Sequence, residues 1–216
     1  MDLTDGTWTR ITGGASGAAI FRRGDLFAKR GDVAAEAERL AWLQRRLRVP
    51  SIVSADSELL VTSALVGVPG AQVAPTRLPS VMAAALALLR KLPVSECPFR
   101  APIASLVDEA AARVAAGVVD DGNFDEARRG RTATSLLDEL HKTRPTVEEL
   151  TVCHGDLCPD NLIIDGDDIG FVDVGRLAAA DRHRDLALVV RALPALSVPG
   201  ADPARIAWFQ LLDEFY

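Results

Sequence analysis

The chain has 216 residues, 49% of them apolar and 25% charged, with a formal net charge of −6 at pH 7. That length suffices for a sizeable core, as one large domain or two small lobes, and the composition argues against disorder as the main state. The acidic balance argues against a nucleic-acid partner and suits a cationic one.

The polar start "MDLTDGTWTR" lacks a basic segment followed by an apolar one, so no secretory signal is expected. The longest apolar run, around "VMAAALALL", is too short to span a bilayer, so no membrane partner is expected either. Three cysteines without a signal imply reduced thiols, and the expected location is the cytoplasm.

In chain order, "WTRIT", "AAIFRR" and "LFAKR" are strand-like runs separated by Gly-rich turns. Residues 33–47 follow with Leu40, Leu43 and Leu47 at helical spacing. The strand pair "SIVSA" and "LLVTSALV" closes this unit, and "GVPG" at 67–70 is the expected hinge between lobes 1–66 and 67–216. Beyond it, helices are predicted over 79–91, 102–116 and 133–142, short strands lie between 150 and 174 around the turn "DGDD", and helical pattern resumes near Asp181. In the last helix Asp202 can cap free N–H groups, Pro203 fits the first turn, and the helix is expected to run nearly to Tyr216. The expected class is therefore α+β, with no internal repeat.

Within "VCHGDLCPDN", His154, Asp156 and Asn161 reproduce the spacing H-x-D-x-x-x-x-N, in which the Asp orients or accepts a hydroxyl proton and the Asn holds Mg²⁺. Asp173 in "FVDVG", with Gly175 two positions on, is the candidate second metal-binding acid. Lys29 in "LFAKR" suits the α and β phosphates, and Glu36 on the following helix suits Lys29. The turn "TGGASGAAIF" can bring N–H groups and Ser16 to phosphate oxygens, although it is not a P-loop. This order of parts is what phosphoryl transfer requires: phosphates held, metal charge placed, an acceptor hydroxyl oriented.

On "GGASGAAIFRR", "EAERLAWL", "VPSIV", "CPF", "VVDDGNFDE", "VCHGDLCPDN", "GFVDVGRLAAADRHRDLAL" and "LLDEFY", the chain resembles the aminoglycoside phosphotransferases, most nearly the kanamycin and neomycin 3'-phosphotransferases. The resemblance implies a bilobal protein-kinase-like fold: a small N-terminal antiparallel β lobe with one helix for nucleotide, and a mainly helical C-terminal lobe for catalysis and drug. It implies Asp156 as catalytic base, Asn161 and Asp173 on Mg²⁺, ATP or GTP as phosphate donor, and a monomer or weak dimer. Phe27 is then expected to stack on adenine, with Ser63 and Ala64 presenting hinge backbone to its edge. The expected aminoglycoside contacts are Arg176, Arg191, Asp120, Asp121, Asp125, Glu126, Asp213, Glu214 and the Tyr216 carboxylate, while Asp185 braces the catalytic loop. The link "ALSVPGA" stands where such proteins usually carry another helix.

Several residues have blander readings. Zinc normally wants closer cysteine pairs and four ligands, so core packing is the better account of Cys153 and Cys158. His141 and His183 are expected on the surface or a helix face, and Trp42 and Trp208 in the core. Competing functions are a streptomycin 3''-kinase, a kinase of a small amino-alcohol such as choline, and a nucleotide-binding scaffold without catalysis. Choline sites favour aromatic cages, and aromatic residues are only 5% of this chain.

Overall fold

Ile20, Phe21, Leu26, Phe27, Leu60 and Val61 stand in short runs broken by turns, and these runs pair as strands in the computed structural model, which describes residues 7–11, 19–196 and 198–216. The strands β1 (Thr9–Ile11), β2 (Ala19–Arg23), β3 (Leu26–Arg30), β4 (Ile52–Ala55) and β5 (Leu59–Ser63) form one antiparallel sheet in the order β1-β2-β3-β5-β4. Gly24, at φ 55°, makes the two-residue turn between β2 and β3, where the twist of a hairpin asks for positive φ. Alternation then sorts β3 and β5 by face. Ala28 and Val61 join Trp8 and Leu59 in a buried cluster, whereas Phe27, Lys29, Leu60 and Thr62 line a cavity.

Helix α1 (Ala34–Leu43) buries Leu40 and Leu43. The third leucine of the expected pattern, Leu47, lies past the helix end in a turn closed by Leu47 N donating to Leu43 O at 3.0 Å. The expected hinge is also more ordered than a free link. Its strand β6 (Val68–Pro69) pairs with β8 (Leu162–Asp165), which pairs in turn with β9 (Asp168–Phe171). Gly67 and Gly70 permit this approach, because a Cβ on either would stand within 2.5 Å of a backbone carbonyl oxygen, that of Ile164 or of Pro159. The chain accordingly divides into two compact units other than 1–66 and 67–216: one runs up to Ala85 and takes in Cys158–Leu177, and the other holds Leu86–Leu157 and Ala178–Tyr216. The hairpin belongs with the first unit because its β-pairing and Phe171 N, which donates to Arg48 O at 2.8 Å, are made there.

The boundary falls within α2 (Leu78–Arg90). The second unit contains α3 (Ile103–Ala115), α4 (Ala133–Lys142), the two-stranded ribbon of β7 (Leu150–Cys153) and β10 (Ala178–Asp181), α5 (His183–Ala192) and α6 (Pro203–Asp213). Leu106, Leu136, Leu140, Trp208, Leu212 and Phe215 meet in its core. Each such side chain contributes about 1.5–3 kcal/mol through its removal from water. The Trp208 indole stays satisfied there by donating to Leu140 O at 2.9 Å. Asp202 caps α6 as expected, accepting from Ala204 N at 2.9 Å.

Two placements differ from expectation. His183 is fully buried, not on the surface, because its Nδ1 pairs with Asp181 at 2.7 Å and its Nε2 accepts from Asp202 N at 3.0 Å. Trp42 is half-exposed beneath the Arg46 guanidinium, which lies 4.7 Å from the ring centroid. Trp8, on which the sequence is silent, is core. Among the described residues no helix is long and apolar enough to cross a membrane.

Candidate active site

Lys29 sits where one strand, one helix and one hairpin end converge. Its Nζ lies 2.8 Å from Glu36 Oε2 on α1 and 2.8 Å from Asp173 Oδ1 beyond β9. A further contact ties the helix to this segment: Arg39 Nε on α1 donates to Leu177 O at 2.8 Å. Burial works against the ammonium charge, but Glu36 and Asp173 outweigh it, and the Lys29 pKa is raised above 10.5.

Asn161 and Asp173 flank the β8–β9 hairpin, whose ends are drawn together by Val172 N donating to Asn161 O at 3.0 Å. Asp173 has φ 55°, a left-handed conformation uncommon for a residue other than glycine. Both line a cavity of about 570 Å³ together with Phe27, Lys29, Glu36, Ser63, Ala64 and Val172. The Arg22 guanidinium lies 5.5 Å from the Phe27 ring centroid. Ser63 N and Ala64 N already donate to Ser51 O at 2.9 Å and Asp25 O at 2.7 Å, so neither N–H is left to read a base. Leu65 follows them in the cavity wall. Ser16 lies outside the described residues.

In the second unit, Asp156 is half-buried in the loop after β7. The loop is held by buried Asp185, whose two oxygens accept from His154 N at 2.7 Å and Gly155 N at 2.8 Å. Burial pushes the Asp185 carboxyl up against the opposing pull of His154 and these two bonds. The neighbouring thiol takes no part. Burial holds Cys153 protonated, with its pKa raised well above 9.0, and its Sγ bonds Asp181 O at 3.3 Å. Among the described residues no group of three or more His, Cys, Asp or Glu could hold a metal ion, and the cysteines are free.

The same unit has a cavity of about 330 Å³ lined by Asp120, Asp125, Arg191, Asp213, Glu214 and Tyr216, with Arg113 in its wall. Arg128 Nη1 pairs with Asp125 at 2.5 Å and Glu214 at 3.1 Å. Burial, opposed by the bond from Asp125 N, raises the Glu214 pKa. Asp121 and Glu126 are not in this wall: Asp121 instead accepts from Ala133 N at 2.9 Å at the start of α4, and Glu126 is exposed in a short turn. Arg176 is half-buried and lines neither cavity. The links of Arg113 to Phe215 and of Arg128 to Glu214 carry no local signal, since those partners lie 102 and 86 residues away.

Comparison with known proteins adds four findings. Residues 4–215 match the profile of the phosphotransferase enzyme family. The chain is similar to the aminoglycoside 3'-phosphotransferase of Streptomyces fradiae, with 36% identity over 97% of this chain and 95% of that protein. That alignment runs to 254 positions against 216 residues here, so the relative carries segments this chain lacks. Among solved structures, an aminoglycoside 3'-phosphotransferase of type VIII superposes with a TM-score of 0.85 and 37% identity over 97% of this chain and 93% of its own. An aminoglycoside phosphotransferase of Streptomyces rimosus, in complex with ADP and streptomycin, superposes with a TM-score of 0.78 and 26% identity over 98% and 93%.

Proposed function

The chain belongs to the phosphotransferase enzyme family, and from that premise we propose that it transfers the γ-phosphate of ATP, or of GTP, to an aminoglycoside hydroxyl. The acceptor is the 3'-OH of a kanamycin- or neomycin-type drug, and the cellular consequence is resistance. The observation that carries this reading is Lys29, held 2.8 Å from both Glu36 and Asp173 in a cavity that also takes in Asn161 and Phe27.

Lys29 binds the α and β phosphates, with Glu36 keeping its rotamer. Phe27 packs on the base. The oxygens of Asn161 and Asp173 suit Mg²⁺, which takes one or two protein oxygen ligands and completes its shell with phosphates and water. When bound, that ion would offset the negative charge of the phosphates during transfer. Asp156 accepts the proton of the attacking hydroxyl. The acids Asp120, Asp125, Asp213 and Glu214, with Tyr216 beside them in the cavity wall, pair with drug ammonium groups, and Arg176 serves the transferred phosphate. In this reading residues 1–66 act as the nucleotide lobe and 67–216 as the catalytic lobe, in the cytoplasm, as a monomer or weak dimer.

The test is ADP release in Mg²⁺/ATP against kanamycin, neomycin and streptomycin. Asp156→Ala is expected to lower turnover by about 10²–10⁴-fold while nucleotide binding is retained; retained turnover rejects Asp156 as base. Turnover of streptomycin alone selects the second reading, a streptomycin 3''-kinase, which the likeness to the streptomycin-bound Streptomyces rimosus enzyme favours.

A further inference from the structure

We propose that Arg191 is a built-in counter-cation, which a polycationic substrate must displace from the acids of the smaller cavity, and that it thereby sets how strongly the enzyme prefers drugs with more ammonium groups. The proposal rests on the aminoglycoside reading above.

Three carboxylates of this cavity already face two guanidinium groups of the protein itself. Arg191 Nη1 is in close contact with Asp213, and its Nη2 lies 4.0 Å from Asp125 and 3.9 Å from Glu214. Arg128 holds two of the same acids from another side, at 2.5 Å and 3.1 Å. The two arginines differ in exposure: the Arg128 side chain is 15% exposed and that of Arg191 is 37%. Glu214 is further fixed by accepting from Asp125 N at 3.0 Å, so Asp125 and Glu214 keep their places without Arg191. Arg128 therefore organises these two carboxylates, and Arg191, which also donates to Gln210 O at 3.1 Å, is the more exposed and exchangeable partner. A solvated pair is weak, and an incoming ammonium group replaces one cation by another with no bond formed or broken. The energetic gain per drug ammonium is reduced by the guanidinium it evicts.

Replacement of the guanidinium by a neutral group should therefore improve binding. In Arg191→Gln the KM for neomycin is expected to fall about fivefold, that for kanamycin, with fewer ammonium groups, to fall less, and kcat and the nucleotide KM to hold. Its drug KM should also depend more steeply on salt. Arg191→Lys keeps the charge and is expected to stay near the parent enzyme. A raised drug KM in Arg191→Gln, which marks Arg191 as a direct drug ligand, overturns the proposal, as does an equal fall in Arg191→Lys. Calorimetric titration with neomycin and with spermine makes the same comparison without catalysis. Absent turnover of every aminoglycoside by the parent enzyme defeats the aminoglycoside reading, whereas unimproved or absent binding to Arg191→Gln defeats the counter-cation.

Discussion

Asp185→Asn isolates what holds the catalytic loop. The carboxylate is 2% exposed and accepts from His154 N at 2.7 Å and Gly155 N at 2.8 Å, immediately before Asp156. Asparagine has the same shape but only one acceptor oxygen, so one of the two N–H groups would face an NH₂ donor. The loss of one charge-assisted bond, about 1.5–3 kcal/mol, combines with an unsatisfied buried N–H of about 1–3 kcal/mol. Relief from burying a charge offsets part of this, leaving a net of about 2–4 kcal/mol, or about 5–15 °C in Tm for a chain of this size. Displacement of Asp156 by a fraction of an ångström to one ångström is expected to lower kcat by about 10–100-fold. The nucleotide KM should hold, because the cavity lined by Lys29 and Asp173 draws no residue from this loop. Differential scanning fluorimetry and steady-state kinetics read both effects. An Asn variant with parental Tm and kcat refutes the bracing role. The pH dependence has a definite sign. Because the folded-state pKa is raised above 3.8, the parent gains stability over the variant as pH falls through that raised value, with the gain complete below the unfolded value.

Lys29→Met leaves Glu36 and Asp173 without their shared cation. With Asp173 40% exposed, the stability loss is discounted from the buried-pair range to about 1–3 kcal/mol by urea titration, and the ATP KM is expected to rise at least tenfold while the drug KM holds. An unchanged ATP KM removes Lys29 from the nucleotide site. Its raised pKa contributes stability that is full below 10.5 and lost as pH climbs through the folded value, so the parent's advantage over the Met variant shrinks only at strongly alkaline pH. Gly67→Ala combines φ 126° with a Cβ 2.4 Å from Ile164 O, and a loss of at least about 2 kcal/mol is expected. Gly24→Ala, at φ 55° with nothing within 4 Å, should cost only about 1–2 kcal/mol. Equal losses in the two glycine variants contradict the steric account of β6–β8 pairing.

Legibility followed the range of the physics. Strands β2, β3 and β4 and helix α4 matched their predicted spans closely, since period and turn chemistry are local to a few residues. That Lys29, Glu36, Asn161 and Asp173 would come together was legible because their order along the chain matched what phosphoryl transfer asks for, and the structure brings all four to one cavity. The bracing by Asp185 was legible only through family resemblance, as nothing local reveals that its two oxygens reach residues 30 and 31 positions upstream. The second cavity resisted further. Six acids of that region look alike in sequence, yet Asp121 is taken by the backbone of α4 and Glu126 by solvent, a choice made by packing.

The segment expected as the hinge holds a strand pairing that its glycines did not reveal, for a related reason. Gly67 and Gly70 read as turn formers, and a lone glycine in a loop usually is one. Here the missing side chain serves close approach: Ile164 O and Pro159 O occupy the space that a Cβ would need. The segment "GVPG" is therefore an edge strand against the hairpin whose ends bear Asn161 and Asp173, and the same backbone that leads away from Ser63 and Leu65 is hydrogen-bonded to that hairpin. The walls of the cavity that takes in Phe27, Lys29, Asn161 and Asp173 are thus drawn from two sheets, the five-stranded one and β6-β8-β9.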